Sequence, residues 1–244
     1  PVVGRMVEDK KGNLWIATEG GGLNYYNRLT HEFKWYRPGT SANSISHNNI
    51  KALYYDALKE TIWIGTHLGG MDCLDIRSGR FTHYRMETDN PESLPSDIIR
   101  DIIPYGKDLI IATQNGVCLF DTASGKCQQL FKDSKEGRSI KMVADVLIDN
   151  KGTLWIAATG EGVFSYRFDT KELTNYRYDP NNPNSLSNNN VNNIFQDNQG
   201  YLWFATSGSG LDLYHPESHS FENFDMSKNG LASDCVYKTH ASPV

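Results

Sequence analysis

The chain repeats one phrase five times, and no other feature limits so strongly what it can fold into. The phrase is an apolar run around a tryptophan, a glycine-rich break, then an aromatic hairpin. It reads Gly12-Asn13-Leu14-Trp15-Ile16-Ala17-Thr18, Thr61-Ile62-Trp63-Ile64-Gly65-Thr66, Asp108-Leu109-Ile110-Ile111-Ala112-Thr113, Gly152-Thr153-Leu154-Trp155-Ile156-Ala157 and Gly200-Tyr201-Leu202-Trp203-Phe204-Ala205-Thr206. The centres Trp15, Trp63, Ile110, Trp155 and Trp203 follow one another at 48, 47, 45 and 48 residues. A pair of side chains spaced by three keeps the same phase: Phe33 and Tyr36, Phe81 and Tyr84, Cys127 and Leu130, Leu173 and Tyr176, Phe221 and Phe224. The first member stands 18, 18, 17, 18 and 18 residues after its centre. Repeats of about 40–50 residues with this content are blades of a β-propeller.

One copy shows how a blade is made. Ile50 to Tyr55 is β-branched and aromatic, Asp56 to Glu60 turns the chain, and Thr61 to Thr66 is a nearly continuous apolar strand, as required where both sheet faces are covered. His67-Leu68-Gly69-Gly70 reverses the chain, Met71 to Leu74 forms a third strand, and Phe81 to Tyr84 the outermost one. The expectation is therefore an all-β fold of four-stranded antiparallel blades over residues 1–37, 38–85, 86–132, 133–178 and 179–225, with 226–244 opening a further blade. Trp15, Trp63, Trp155 and Trp203 are read as structural, because the wedge between neighbouring blades takes large side chains. The ends are out of phase: Val2 to Val7 reads as an inner strand, and Asp234 to Lys238 repeats it, which predicts a piece of a larger propeller.

Composition narrows the function. The net charge is −5, with 24 basic and 29 acidic residues interspersed, so there is no basic stripe for a nucleic-acid backbone and no polybasic membrane anchor. No apolar run is long enough to span a bilayer, and Pro1-Val2-Val3-Gly4 lacks the layout of a signal peptide. The four cysteines show no metal spacing, and no cofactor is expected. Cys118 and Cys127 flank the turn Asp121 to Gly125 on diagonal positions, which are usually too far apart for a disulfide.

Asp9-Lys10-Lys11-Gly12-Asn13-Leu14-Trp15-Ile16-Ala17-Thr18-Glu19-Gly20-Gly21-Gly22-Leu23-Asn24-Tyr25-Tyr26 resembles the repeat of two-component regulator propellers, and Asn184-Ser185-Leu186-Ser187-Asn188-Asn189-Asn190-Val191 resembles the loop that links their blades. The resemblance extends over essentially the whole chain. It implies a periplasmic, non-catalytic sensor region of a hybrid histidine kinase of the Bacteroidetes type, with kinase activity elsewhere in the protein and seven-bladed rings as the complete form. It further implies a glycan or oligosaccharide as ligand, and as partners the remaining blades of the same sensor or a second copy.

Loops on a rigid scaffold are where binding groups sit. Glu19, His67, Gln114, Asn115, Glu161 and Ser209 occupy equivalent loops beside glycines and are the candidate ligand-binding residues. In the inner strands one position is polar in almost every copy, Arg5, Asp101, Asp145, Asn193 and Lys238, and is read as lining a central channel; a structural ring of ion pairs and water is the competing reading. Ser44, Asn48, Ser93, Asp97, Ser185 and Asn189 read as turn formers. No convergent acids stand out as catalytic. Two alternatives stay open: a propeller enzyme, either glycan-active or similar to the streptogramin lyases through a pairing of His67 with His47, and a protein-binding scaffold.

Overall fold

The structure is a computed structural model and describes residues 2–239. It is all-β apart from two short turns of helix, and its twenty strands form five four-stranded antiparallel sheets. The first sheet runs β1 (Val2–Glu8), β2 (Leu14–Glu19), β3 (Gly22–Asn27), β4 (Glu32–Tyr36), and the second β5 (Ile50–Asp56), β6 (Thr61–Thr66), β7 (Met71–Asp75), β8 (Arg80–Tyr84). The third is β9 (Ile99–Tyr105), β10 (Asp108–Thr113), β11 (Gly116–Phe120), β12 (Cys127–Gln129), and the fourth β13 (Val143–Ile148), β14 (Thr153–Ala158), β15 (Gly162–Arg167), β16 (Leu173–Tyr176). The fifth is β17 (Val191–Gln196), β18 (Leu202–Thr206), β19 (Leu211–His215), β20 (Ser220–Phe224). In each sheet the strands pair in chain order, so each is a meander and one propeller blade. The chain gathers into two compact units, Pro1–Leu130 and Phe131–Val244.

The burial gradient follows the residue types. β6 is buried at all six positions, whereas the outermost β4 is exposed at four of five. Trp15, Trp63 and Trp155 are 1–3% exposed, and Ile110 at the corresponding place in the third blade is fully buried. Trp63 packs on Tyr84 of its own blade and Phe120 of the next, at ring distances of 5.9 and 5.4 Å. Trp155 repeats this on Tyr176, Phe204 and Tyr214 at 5.8, 5.5 and 4.9 Å. The tryptophans thus join blade to blade, each burying on the order of 200 Å². Trp203 is only partly buried, against Phe224 at 5.5 Å.

Two backbone devices recur. Each inner strand carries a register irregularity near its start, at Val3/Met6, Ile50/Ala52, Ala112/Thr113 on the β10 side, Val143/Asp145 and Val191/Asn193. Such a bulge turns one side chain away from the ladder's alternation. At the start of the third strand, Gly22, Gly70, Gly162 and Gly210 donate their N–H to the carbonyl of an Asx residue in the following linker, Asn48, Asp97, Asn189 and Asp234, at 2.7–3.0 Å. That bond ties every such blade to the next connection.

Three sequence expectations are revised by this description. Over Asp234 to Lys238 no strand forms: Cys235 makes one isolated bridge to Ser207, and Val236 N donates to Thr206 O. Among the described residues the segment has only the end of β18 to pair with, whereas the other inner strands pair along a full following strand. It is preceded by α1 (Met226–Asn229), a helical turn that the repeat did not foreshadow, capped by the Asp225 side chain and closed by Gly230 in the left-handed region. Finally, Cys118 and Cys127 are diagonal in the β11–β12 ladder as read, but their sulfurs touch at 3.0 Å as free thiols.

Candidate functional site

The turns between second and third strands and the linkers between blades lie on one side of the sheets, and the candidate binding residues sit there. In the first unit, Glu19 closes β2 and pairs with Lys51 of β5. His67 follows β6; its N–H bonds Asn49 O at 2.9 Å, and it bridges to Ile98 of the next linker. Gln114 bonds the same Ile98 through its own backbone, Gln114 N to Ile98 O, at 3.0 Å. The structure therefore brings Glu19, His67 and Gln114 onto adjoining loops. Asn115 is exposed, and its side-chain amide donates to Pro95 O at 3.3 Å.

His67 titrates below the usual imidazole range. Burial is the main cause, Arg100, Lys51 and His47 add to it, and Glu19 opposes it. Its Nδ1 is buried without a hydrogen-bond partner, as is Oδ1 of Asn49 beside it. His47 spends Nδ1 on the Asn49 N–H at 3.0 Å. Lys51, Arg100 and Asn49 are functional candidates that sequence reading missed. A signal did exist: Lys51 and Arg100 immediately precede the aligned inner-strand position of Ala52 and Asp101, where the bulge re-aims a side chain.

In the second unit Glu161 is committed to Arg177. Ser209 lies on the wall of a cavity of about 440 Å³ lined also by Tyr178, Ser187, Asn223, Lys228 and Asp234. Its Oγ accepts from Asn188 Nδ2 at 3.3 Å. A larger cavity of about 630 Å³ opens on the opposite side, between β13–β16 and β17–β20, walled by Trp155, Tyr176, Tyr214 and His219. Tyr176 and Tyr214 share a hydrogen bond of 3.0 Å, and both meet His219 Nδ1, so these polar atoms are already engaged.

The polar column of the inner strands is paired in two places. Arg5 reaches Asp101 at 2.6 Å, and Asp101 is 1% exposed with Oδ1 accepting the Ile102 N–H. Between them in sequence order the second blade has Ala52, fully buried and small. Asp145 accepts Asn193 Nδ2 at 2.6 Å and Ile194 N at 2.8 Å, and Thr239 bonds Asn193 Oδ1. Lys238 is exposed. Within each unit the buried carboxylates of this column are held by donors.

One constellation has the composition of a hydrolase triad without its geometry. Asp72 is fully buried; its carboxylate accepts Ser46 N and Oγ and meets His83 Nδ1 at 2.7 Å. Ser46 Oγ faces the same Nδ1, at 3.1 Å, and Nε2 is tied to Ala42 O at 2.8 Å. No ring nitrogen remains to serve the hydroxyl as base with the aspartate behind it. In the fifth blade Asp212, Ser187 and Asn223 make the corresponding set with an amide for the imidazole, so the arrangement fastens the linker. Ser44, Ser93 and Ser185 likewise bond backbone within their own loops. Among the described residues no cluster of three His, Cys, Asp or Glu could hold a metal ion.

Five meander blades with polar groups on preformed loops define a β-propeller fold. Residues 1–20 and 185–208 match the family model of the two component regulator propeller. Those two segments carry the family's repeat, in line with the resemblance read from the sequence. No curated protein matches it in sequence. Among solved structures, the extracellular domain of the hybrid two component system BT3049 from B. thetaiotaomicron is similar at TM-score 0.78 and 25% identity, over 90% of this chain and 29% of that one. The extracellular domain of the hybrid two component system BT4673 from the same organism gives 0.73 and 23%, over 93% and 31%. PorZ, a surface component of the type-IX secretion system of Porphyromonas gingivalis, gives 0.71 and 17%, over 97% and 35%, a likeness of fold. The chain spans less than a third of the length of the two-component domains it resembles.

Proposed function

We propose that this chain is part of the extracytoplasmic, ligand-sensing propeller of a hybrid two-component receptor, and that it binds a glycan fragment without transforming it. The observation that carries this reading is the match of repeat and fold to the BT3049 extracellular domain over 90% of the chain. The loop side supports a binding role: glycine-anchored turns hold Glu19, His67 and Ser209 on rigid strands, and hydroxyl recognition needs such donors and acceptors in fixed places. Signalling asks only for different affinities in two receptor states, so no catalytic group is required. Calorimetric titration with a panel of oligosaccharides, followed by chromatography of the mixtures, tests the proposal. Saturable binding with every saccharide recovered intact supports it. Cleaved products, or a panel with no binding, would overturn it.

A further inference from the structure

We propose that the loop side of the first unit carries an anion subsite, formed by Arg100, Lys51, His67 and Asn49, that takes the carboxylate or sulfate of an acidic saccharide. The inference rests on the glycan-sensing reading above and adds the charge of the ligand. Four observations support it.

The first is where the two cations sit. Lys51 and Arg100 occupy the bulge of adjacent inner strands, β5 and β9. The matching residues of the other blades are Gly4, Ala144 and Asn192, none of them charged. A bulge directs its residue out of the ladder, so neighbouring blades here aim two cations from one side of the sheets. The second is that Arg100 is half-buried, yet its side chain forms no hydrogen bond or ion pair with the described residues. A guanidinium presents a planar fork of donors that fits a carboxylate or sulfate through two parallel bonds, and it stays charged at every physiological pH.

The third is a pair of unsatisfied buried atoms beside the cations, Nδ1 of His67 and Oδ1 of Asn49. Buried polar atoms left without partners are uncommon in folded proteins, and these two adjoin one another through the bond from His67 N to Asn49 O. A sugar ring whose acidic group rests on Arg100 would offer hydroxyls to both. The fourth is the sign of the local field: the imidazole of His67 is held below its ordinary pKa, chiefly by burial and then by Arg100 and Lys51 against the single opposing charge of Glu19. Glu19 is the resident anion of this cluster. Its side chain is 45% exposed, so an arriving anion can displace it from Lys51 at little cost.

The test is side-chain NMR of the purified protein, following the His67 imidazole resonance during titration with glucose, sodium glucuronate and glucose 6-sulfate. Glucuronate and glucose 6-sulfate should move the resonance saturably, glucose at least about tenfold more weakly, and the preference between the two anions identifies the acidic group. Arg100→Gln should weaken both anions at least about tenfold, Arg100→Lys should restore part of the loss, and Glu19→Gln should tighten them by removing the competing carboxylate. Raising the salt should weaken binding of the anions and leave any glucose binding unchanged. Anions no better than glucose, or an Arg100→Gln variant that binds them as the parent does, would overturn the subsite. If the neutral members of the oligosaccharide panel bind while neither anion moves His67, the subsite fails and the glycan reading stands. A blank panel overturns the glycan reading itself.

Discussion

Trp155 and Trp203 each donate the indole N–H to Oδ2 of the aspartate six residues earlier, Asp149 and Asp197, at 2.9 and 3.0 Å. Oδ1 of the same carboxylate accepts backbone N–H groups two and four residues on, so one side chain shapes the turn and orients the ring. Asp9 stands at the corresponding place in the first blade, yet Nε1 of Trp15 is buried without a partner. The difference is Asn13, where the other blades have Thr153 and Tyr201. Its amide lies across both oxygens of Asp9, at 3.3 and 3.2 Å, and its carbonyl accepts Arg28 N at 3.1 Å, which ties the turn to the neighbouring hairpin. The first blade has exchanged an indole bond for a hairpin bond. Thr153→Asn should transplant that exchange to the fourth blade and leave Trp155 unpaired, costing about 1–2 kcal/mol because a buried donor loses its acceptor. Urea unfolding followed by tryptophan fluorescence reads the loss as a lower midpoint at unchanged slope. A variant as stable as the parent would show that Asn13 is not what displaces Trp15.

At the scale of the blade, the tie between the third strand and the next linker is the element most sensitive to a single atom. Gly162 holds φ at 81°, its N–H reaches Asn189 O at 3.0 Å, and a Cβ there would stand 2.2 Å from Tyr176 O. Gly160, two residues earlier in the same turn, holds φ at 79° but has nothing within 4 Å of the place where its Cβ would be. Both alanine variants pay for the left-handed backbone, about 1 kcal/mol; only Gly162→Ala adds the collision, for a total of about 3–4 kcal/mol. Equal losses in thermal unfolding would mean that the strand can shift to admit the methyl group. These glycines were visible in the sequence, as were the tryptophan positions and the aromatic residues that follow at fixed distance, because blade-to-blade packing imposes one period on all of them. The bulges were not visible. A bulge changes register without changing composition, so nothing in the composition set Lys51 or Arg100 apart from other strand residues. For the candidate site, therefore, the loops bearing Glu19, His67 and Ser209 could be read from the repeat. The cations around His67 could not, since what groups them is the pairing of separate blades.

Across the whole molecule, two of the linkers are fastened by carboxylates placed where water does not reach, and this gives stability a pH dependence whose sign can be worked out. Asp72 and Asp212 are both fully buried beneath the serines of their linkers. Burial pushes Asp212 up to about 6, against the bonds it accepts from Ser187 and Asn223, which favour the ionised form. Its folded pKa thus lies above the ordinary 3.8, so its contribution is fully present below that value and is lost as pH rises through about 6. His83 acts in the same direction. Burial alone would lower it, but the bonds to Asp72 and Ala42 O outweigh burial and hold it above 6.5, so its contribution also fades as pH rises through its folded pKa. His67 opposes them: held below 6.5, it favours the fold above that value and the effect is lost as pH falls. The buried Asp212 should dominate, and the protein should lose about 1.4 kcal/mol through this group between about pH 5 and about pH 8. Asp212→Asn isolates the effect, because the first blade already carries Asn24 at the matching position of β3 and the fold accepts it there. Urea midpoints measured at the two pH values should fall toward the alkaline side in the parent and fall less in the variant. A parent whose stability rises with pH over this range, or a variant with the parent's slope, would show that Asp212 is ionised throughout and that its serine and asparagine donors fully offset its burial.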